Sequence, residues 1–367
     1  MLFALICLYL FSLLSLAVYY IHRLILIGGV KNAQGGEIDL PVSVVVCAHD
    51  EEENLRRLLP ALFSQKHKTF EVIVVDDRSN DNTYDLLLEK KREHSNLKIV
   101  RVTDTPDHIN GKKYGLTLGI RAAQYEHILF TDADCVPASD EWISTMANAY
   151  KPQTEIVLGY SPYQKRRRLL NAFIRFETLF TGIQYIGAAL AGRPYMGVGR
   201  NLSYKQSLFV TKKGFNKHLK VTGGDDDLFV NENANKHNTR VAVGKNALVY
   251  SIPKMNLRAY LAQKKRHLAV GKLYKKRHKA RIGFIALSQI LSWALLIPLL
   301  LYRFELTIVA GGYVVKIALL FILMFTSGRK FGDKINLWLL PLFDFLWSLY
   351  YLIMGTRALF IKKVKWK

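Results

Sequence analysis

The chain has 367 residues, a formal net charge of +23 at pH 7 and a half-hydrophobic composition, with a mean hydropathy of +0.08. A disordered basic tail would lack that apolar content, and an ordinary soluble domain would not combine positive mean hydropathy with so much charge. The three cysteines (Cys7, Cys47, Cys135) are scattered, odd in number and without metal-ligand spacing, which excludes a disulfide framework and points to a reducing compartment.

The first element is the uncharged run at residues 2–21, LFALICLYLFSLLSLAVYYI. It is long enough to cross a hydrocarbon core of about 30 Å as a helix. The first Lys or Arg, Arg23, follows the run rather than preceding it, so the pattern is that of an uncleaved anchor (residues 1–29) with its C-terminal side in the cytoplasm. Residues 30–281 then have the size of one α/β domain.

Within that domain, four short β-branched runs predict strands at residues 42–48, 70–75, 97–102 and 127–130. Helical apolar spacing fills the intervals at 51–63, 82–94 and 112–123. Such alternation predicts a mostly parallel sheet with right-handed crossovers, in which ligands gather at the carboxyl ends of the strands. Acids cluster at those ends: Asp50 after the first strand, Asp76 and Asp77 after the second, Asp132 and Asp134 after the fourth.

Further along, QKRRR at 164–168 leads into an apolar run at 169–190 that carries Arg175, Glu177 and Gln184. That run suits an amphipathic helix lying in a membrane interface and equally one packed on the domain. Residues 255–304 contain no acid, and the basic segment 257–281 precedes two apolar runs, 282–302 and 306–326, that read as a transmembrane hairpin with Lys316 inside it. A third run, 335–355, contains Pro341 and Asp344; basic residues flank it and end the chain as KKVKWK, so it is expected to be re-entrant or interfacial rather than spanning. Charge concentrated beside apolar helices, without a nucleic-acid motif, points to an anionic membrane surface and not to nucleic acid.

No GxGxxG or GxxxxGK[ST] phosphate loop is present. The acids stand out instead. In Asp132-Ala133-Asp134 two carboxylates one residue apart at a strand end can share a hard divalent cation. Later come Gly223-Gly224-Asp225-Asp226-Asp227-Leu228 and Gln263-Lys264-Lys265-Arg266-His267.

In this order, VVDDRSNDNT (74–83), FTDADC (130–135), GGDDDLF (223–229) and QKKRH (263–267) resemble the motifs of the membrane-bound family-2 glycosyltransferases, relatives of the cellulose, chitin, hyaluronan and ceramide-glucose enzymes. INGKKYGLTLGI (109–120) and MGVGRNLSYKQSLF (196–209) are similar to two further family segments. The resemblance runs over residues 41–271 and implies a GT-A type fold and an inverting transfer of a hexose from a nucleotide-diphosphate sugar. It places the catalytic base at Asp225 with Asp226 beside it, the metal (Mg²⁺ or Mn²⁺) on Asp132 and Asp134, and the diphosphate near Arg266, with Gln263 positional. Neighbouring carboxylates would raise the pKa of the base; Asp is equally a favoured N-cap for a helix starting near Leu228.

Donor recognition falls on Asp76, Asp77, Glu51, Lys112, Asp132, Gln263 and Arg266, with Asp77 a candidate acceptor for a uracil imide N–H. Lys112 is also readable as a solvated lysine at a helix start, and Glu51 as an acid stabilising a first helical turn. His267 replaces the family's Trp on the acceptor side. A UDP-sugar is the favoured donor and a GDP-sugar possible; the acceptor expected of a bilayer-tethered site is a lipid or lipid-linked glycan of a bacterial-type cell envelope. The alternatives are a processive polysaccharide synthase, disfavoured by His267 and the few membrane helices; a transporter, which should have more intramembrane polar pairs than Lys316 and Asp344 provide; and an inactive scaffold, disfavoured by the complete set of motif acids.

Overall fold

The computed structural model describes residues 2–35 and 39–360; the basic KKVKWK end lies outside the described residues. The chain opens with α1 (Leu2–Gly29), followed by β1 (Val42–Ala48), α2 (Glu52–Phe63), β2 (Phe70–Asp77), α3 (Thr83–Glu93), β3 (Leu97–Val102), α4 (Gly111–Ala122) and β4 (His127–Phe130). Strand and helix positions match the alternation expected from the sequence, except that β2 runs on to include Asp76 and Asp77. These four strands pair in parallel in the order β3-β2-β1-β4, with Val42 in register with both Phe70 and His127. Burial of β1 on both faces explains its unbroken VSVVVCA run.

Shorter elements follow: β5 (Cys135–Pro137), α5 (Trp142–Ala147), β6 (Ile156–Gly159), α6 (Leu169–Leu190), β7 (Leu202–Lys205), α7 (Gln206–Thr211), α8 (Asp227–Asn233), β8 (Thr239–Ala242), β9 (Val249–Ser251) and α9 (Leu257–Gly271). They extend the sheet to β3-β2-β1-β4-β7-β6-β8, with β7 antiparallel to both neighbours; β5 and β9 form a separate antiparallel pair. The result is a GT-A type fold.

The chain ends in α10 (Lys276–Leu301), α11 (Leu306–Phe331) and α12 (Leu340–Phe360). Among the described residues, three helices are long and apolar enough to cross a membrane: α1, α10 and α11. The expected C-terminal boundaries shift. α10 starts six residues before the apolar run expected at 282, so Lys276, Arg277, Lys279 and Arg281 form its first turns. α11 continues past 326 to Phe331 and stops at Gly332, whose φ of 81° makes the left-handed cap. α12 begins at Leu340 rather than 335, with Pro341 in its first turn, where a missing N–H costs nothing.

Lys316 is buried at the centre of this bundle. Its Nζ donates to Asp344 Oδ2 at 2.7 Å and to Ser292 Oγ at 3.0 Å. Gln289 Nε2 and Trp293 Nε1 donate to the same carboxylate at 2.6 and 2.8 Å.

Of the two readings open for residues 169–190, the structure has the packed one. Fourteen of the 22 residues of α6 are buried, including Arg175 and Glu177, and the burial is by protein. Phe176 and Phe180 meet Phe343 and Trp347 of α12, while Gly182 admits the Tyr160 ring against the helix. Arg175 pairs with Asp333 at 2.5 Å, which also accepts from Tyr160 OH at 2.8 Å, tying α6 and the α11–α12 connection to the end of β6.

Candidate active site

The carboxyl ends of β1 and β4 face a small cleft lined in part by Cys47, Lys112, Asp132, Gly199, Asp225 and Asp226. Lys112 reaches it because α4 packs unusually close to the sheet. A Cβ on Gly119 would sit 2.8 Å from Val75 Cγ2 and 2.9 Å from Val45 Cγ1, so only glycine fits there.

Lys112 Nζ lies 2.9 Å from Asp132 Oδ1 and 3.6 Å from Asp225 Oδ2, joining acids from β4 and from the loop before α8. Burial opposes the Lys112 charge, but Asp132 and Asp225 raise its pKa well above the lysine range. Burial likewise opposes the Asp132 charge, while Lys112 holds that carboxyl below its usual range. Asp134, two positions past Asp132, is raised by burial and then by the charge of Asp132; its Oδ1 accepts from Cys135 Sγ at 3.4 Å.

The acid triplet divides by role. Asp226 caps α8: its Oδ1 accepts from Asp227 N–H at 2.7 Å and its Oδ2 from Gly199 N–H at 2.6 Å. Burial, then the charge of Asp225, pushes its pKa up to about 6. Asp227 Oδ2 accepts from Tyr274 OH at 2.7 Å while its Oδ1 is buried without a partner, and burial raises this carboxyl well above normal. Asp225 turns its carboxylate toward Lys112 and the cleft.

The loop carrying Asp225 is held from beneath by Lys113, fully buried, whose Nζ donates to the carbonyls of Val221 and Gly223. Gly223 and Gly224 follow with φ of 81° and 78°, a bend that side chains resist.

The remaining expected donor residues are not among those that line this cleft. Asp76 and Asp77 end β2. Asp77 is gripped by the neighbouring Arg78, Nε to Oδ1 at 2.8 Å and Nη2 to Oδ2 at 3.2 Å, whereas Asp76 is buried with Oδ1 unpartnered. Glu51 occupies the N-cap position of α2, where its side chain bonds Asn54 and burial raises its pKa.

On α9, Gln263 Nε2 donates to Tyr163 OH at 3.1 Å, Arg266 is half-buried and His267 is exposed. Lys264, beside them, pairs at 2.5 Å with Glu177 of α6 and fixes α9 against that helix.

Sequence reasoning missed Lys113, Tyr163, Arg200 and Tyr274. Lys113 and Arg200 lie within segments already marked by their motifs, GKKYG and GVGRN, so the segments were visible although the individual side chains were not.

Residues 43–201 match the model of the family described as Glycosyl transferase family 2. The poly-beta-1,6-N-acetyl-D-glucosamine synthase of Staphylococcus epidermidis is 31% identical over 100 residues, which is 27% of this chain and 23% of that one. The probable glycosyltransferase YdaM of Bacillus subtilis is 28% identical over 174 residues, 43% of this chain and 41% of that one. The chain thus spans from about a quarter to two fifths of the length of these relatives.

In three dimensions the chain is similar to the mannosyltransferase PcManGT from Pyrobaculum calidifontis, solved with GDP-Man and Mn²⁺, with a TM-score of 0.59, 17% identity and coverage of 89% of this chain and 96% of that one. That likeness carries the fold. With the ordered motifs and the match over residues 43–201, the chain is similar to Glycosyl transferase family 2 and has a GT-A type fold, joined to apolar helices of membrane-spanning length.

Proposed function

We propose that this protein is a membrane-embedded inverting glycosyltransferase that moves a hexose from a nucleotide-diphosphate sugar to a hydroxyl of a lipid or lipid-linked glycan. The observation that carries the reading is Lys112, bridging Asp132 and Asp225 from separate elements inside one cleft. A donor diphosphate at Asp132 then lies beside a carboxylate suited to act as base. Asp225 takes the proton of the acceptor hydroxyl as the acceptor oxygen bonds to the anomeric carbon. The bond from that carbon to the diphosphate oxygen breaks, its electron pair leaves with the nucleoside diphosphate, and the configuration inverts.

Asp132 and Asp134 fit a hard divalent cation, Mg²⁺ or Mn²⁺. Burial and mutual repulsion leave Asp134 short of compensating charge, and the described residues contain no cluster of three or more side-chain ligands. Two carboxylates with diphosphate and water oxygens completing the shell suit such an ion. When bound, it would supply charge stabilisation to the leaving diphosphate. Lys112 shares Asp132 with it, and Arg266 adds a guanidinium on the donor side.

A UDP-sugar is favoured and a GDP-sugar is the second candidate, with Asp76, whose Oδ1 is free, and Asp77 at the base end. The catalytic domain faces the cytoplasm. Arg23, Lys276, Arg277, Lys279, Arg281, Arg329 and Lys330 lie at the domain-side ends of the three apolar helices, against Arg303 on the far turn. The same charges favour an anionic membrane surface, of a bacterial-type cell membrane.

The test is to incubate membranes containing the protein with labelled UDP- and GDP-sugars and follow label into lipid extract and polymer. Label in the lipid extract supports the reading. Label in polymer alone favours a processive synthase, and no transfer from any donor overturns the proposal.

A further inference from the structure

We infer that Arg200, resting on the ring of Tyr163, is a second guanidinium contact for the donor's diphosphate, separate from Arg266; this rests on the donor-site reading above. Arg200 leaves a short turn, Gly199–Asn201, that is pinned on both sides. Gly199 N–H is fixed to Asp226. Asn201 is fully buried: its Nδ2 donates to the carbonyls of Tyr160 and Ala247 at 2.8 and 2.7 Å, and its Oδ1 accepts from Trp142 Nε1 at 3.0 Å. The stem of Arg200 therefore starts from rigid backbone.

The guanidinium carbon sits 4.4 Å from the centroid of the buried Tyr163 ring. A planar cation over an aromatic face is held without using its N–H groups for that contact. Nη1 is buried and has no hydrogen-bond partner. An unmet buried donor on a charged group is costly, and an oxygen-rich ligand would recover that cost.

Asp132 and Asp134 are among the charges that act on Arg200, which follows the cleft residue Gly199, so its guanidinium is on the side of the carboxylates assigned to the diphosphate. Tyr163 OH also accepts from Gln263, so the support under Arg200 is fixed by the helix that carries Arg266. The ligand chemistry is a diphosphate bracketed by two guanidinium groups from different elements. Arg forks match phosphate oxygens in a way that an ammonium does not.

The experiment uses the full chain in detergent and measures binding of UDP, GDP, uridine and guanosine by titration calorimetry to wild type, R200Q, R200K, Y163F and Y163L. R200Q is expected to weaken whichever diphosphate wild type binds by about tenfold or more, with the matching nucleoside unchanged. R200K should lose several-fold. Y163F, which keeps the ring, should bind within about twofold of wild type, while Y163L should follow R200Q.

Equal diphosphate binding by wild type, R200Q and R200K overturns the inference. So does equal weakening of nucleoside and diphosphate, which marks a purely structural arginine. R200K keeps the test decisive if R200Q does not fold. Wild type that binds neither UDP nor GDP overturns the donor-site reading itself, an outcome distinct from the others.

Discussion

Lys316 of α11 and Asp344 of α12 form an ion pair of 2.7 Å with side-chain exposures of 2% and 0%, in the middle of an apolar helix bundle. Each charge alone would be very costly in that environment; together, and with Ser292, Gln289 and Trp293 satisfying the remaining positions, they hold α12 against α10 and α11.

K316L or D344L should each destabilise the protein by about 3–5 kcal/mol, because each leaves an uncompensated buried charge. The double variant K316L/D344L should recover most of that loss. Thermal unfolding of the detergent-purified protein checks this. A double variant as unstable as the sum of the singles would show that the two charges do not act as a pair.

Gly119 sets how near Lys112 comes to the cleft. G119A gains about 1 kcal/mol of helix propensity but forces a methyl group into Val45 and Val75, an overpacking that costs about 1–3 kcal/mol. Net destabilisation is expected, together with lower transfer activity as Lys112 is lifted from Asp132. The control is G283A on α10, where an added Cβ meets nothing within 4 Å and activity should not change. Equal behaviour of the two variants would refute the close-packing argument.

Asp226 makes stability depend on pH in a definite direction. Its folded pKa of about 6 lies above the 3.8 of an unperturbed aspartate, so the folded state binds its proton more tightly than the unfolded chain. The resulting stabilisation is complete below about 3.8 and is lost as pH rises through about 6. The stability of wild type relative to D226N should therefore fall between pH 4.5 and 7 and level off above. Unfolding midpoints at four pH values measure it, and a difference independent of pH would contradict the assignment.

Substitutions at Asp225 and Asp134 test the proposed base and the proposed metal site separately. D225N should lower transfer by about 10²–10⁴-fold while nucleotide binding persists, since it removes only the proton acceptor. D134A should abolish the part of the activity that a chelator abolishes, with little further effect of chelator on the variant. Turnover retained by D225N would move the base elsewhere.

Much of the fold could be read from the sequence because β1, β2 and β4 are mostly apolar runs followed by acids, and helices of regular spacing separate the first four strands. β5 to β9 are three or four residues long, too short to show a period, and their pairing depends on contacts distant in sequence. The acids of the site were named because they sit in compact motifs. The groups that orient them were not: Lys113 supports a loop more than a hundred residues away, and Arg200 is defined by a tyrosine 37 positions earlier. Lys316 and Asp344 were each visible as misplaced charges, but their pairing required the packing of two helices. Residues 169–190 stayed ambiguous because a face apolar enough for lipid is equally suited to a protein partner.

That helix has a consequence for how the molecule can be divided. Leu16 and Tyr20 of α1, Val45 and Ile73 of the sheet, Phe176 and Phe180 of α6, Leu320 and Phe331 of α11 and Trp347 of α12 belong to one continuous apolar cluster. Excising residues 30–281 as a soluble enzyme would cut through that cluster and leave α6 without half of its cover. The proposed sugar-transfer site and the apolar helices share a single interior, so the reacting groups would stand at a height above the membrane fixed by side-chain packing rather than by a tether.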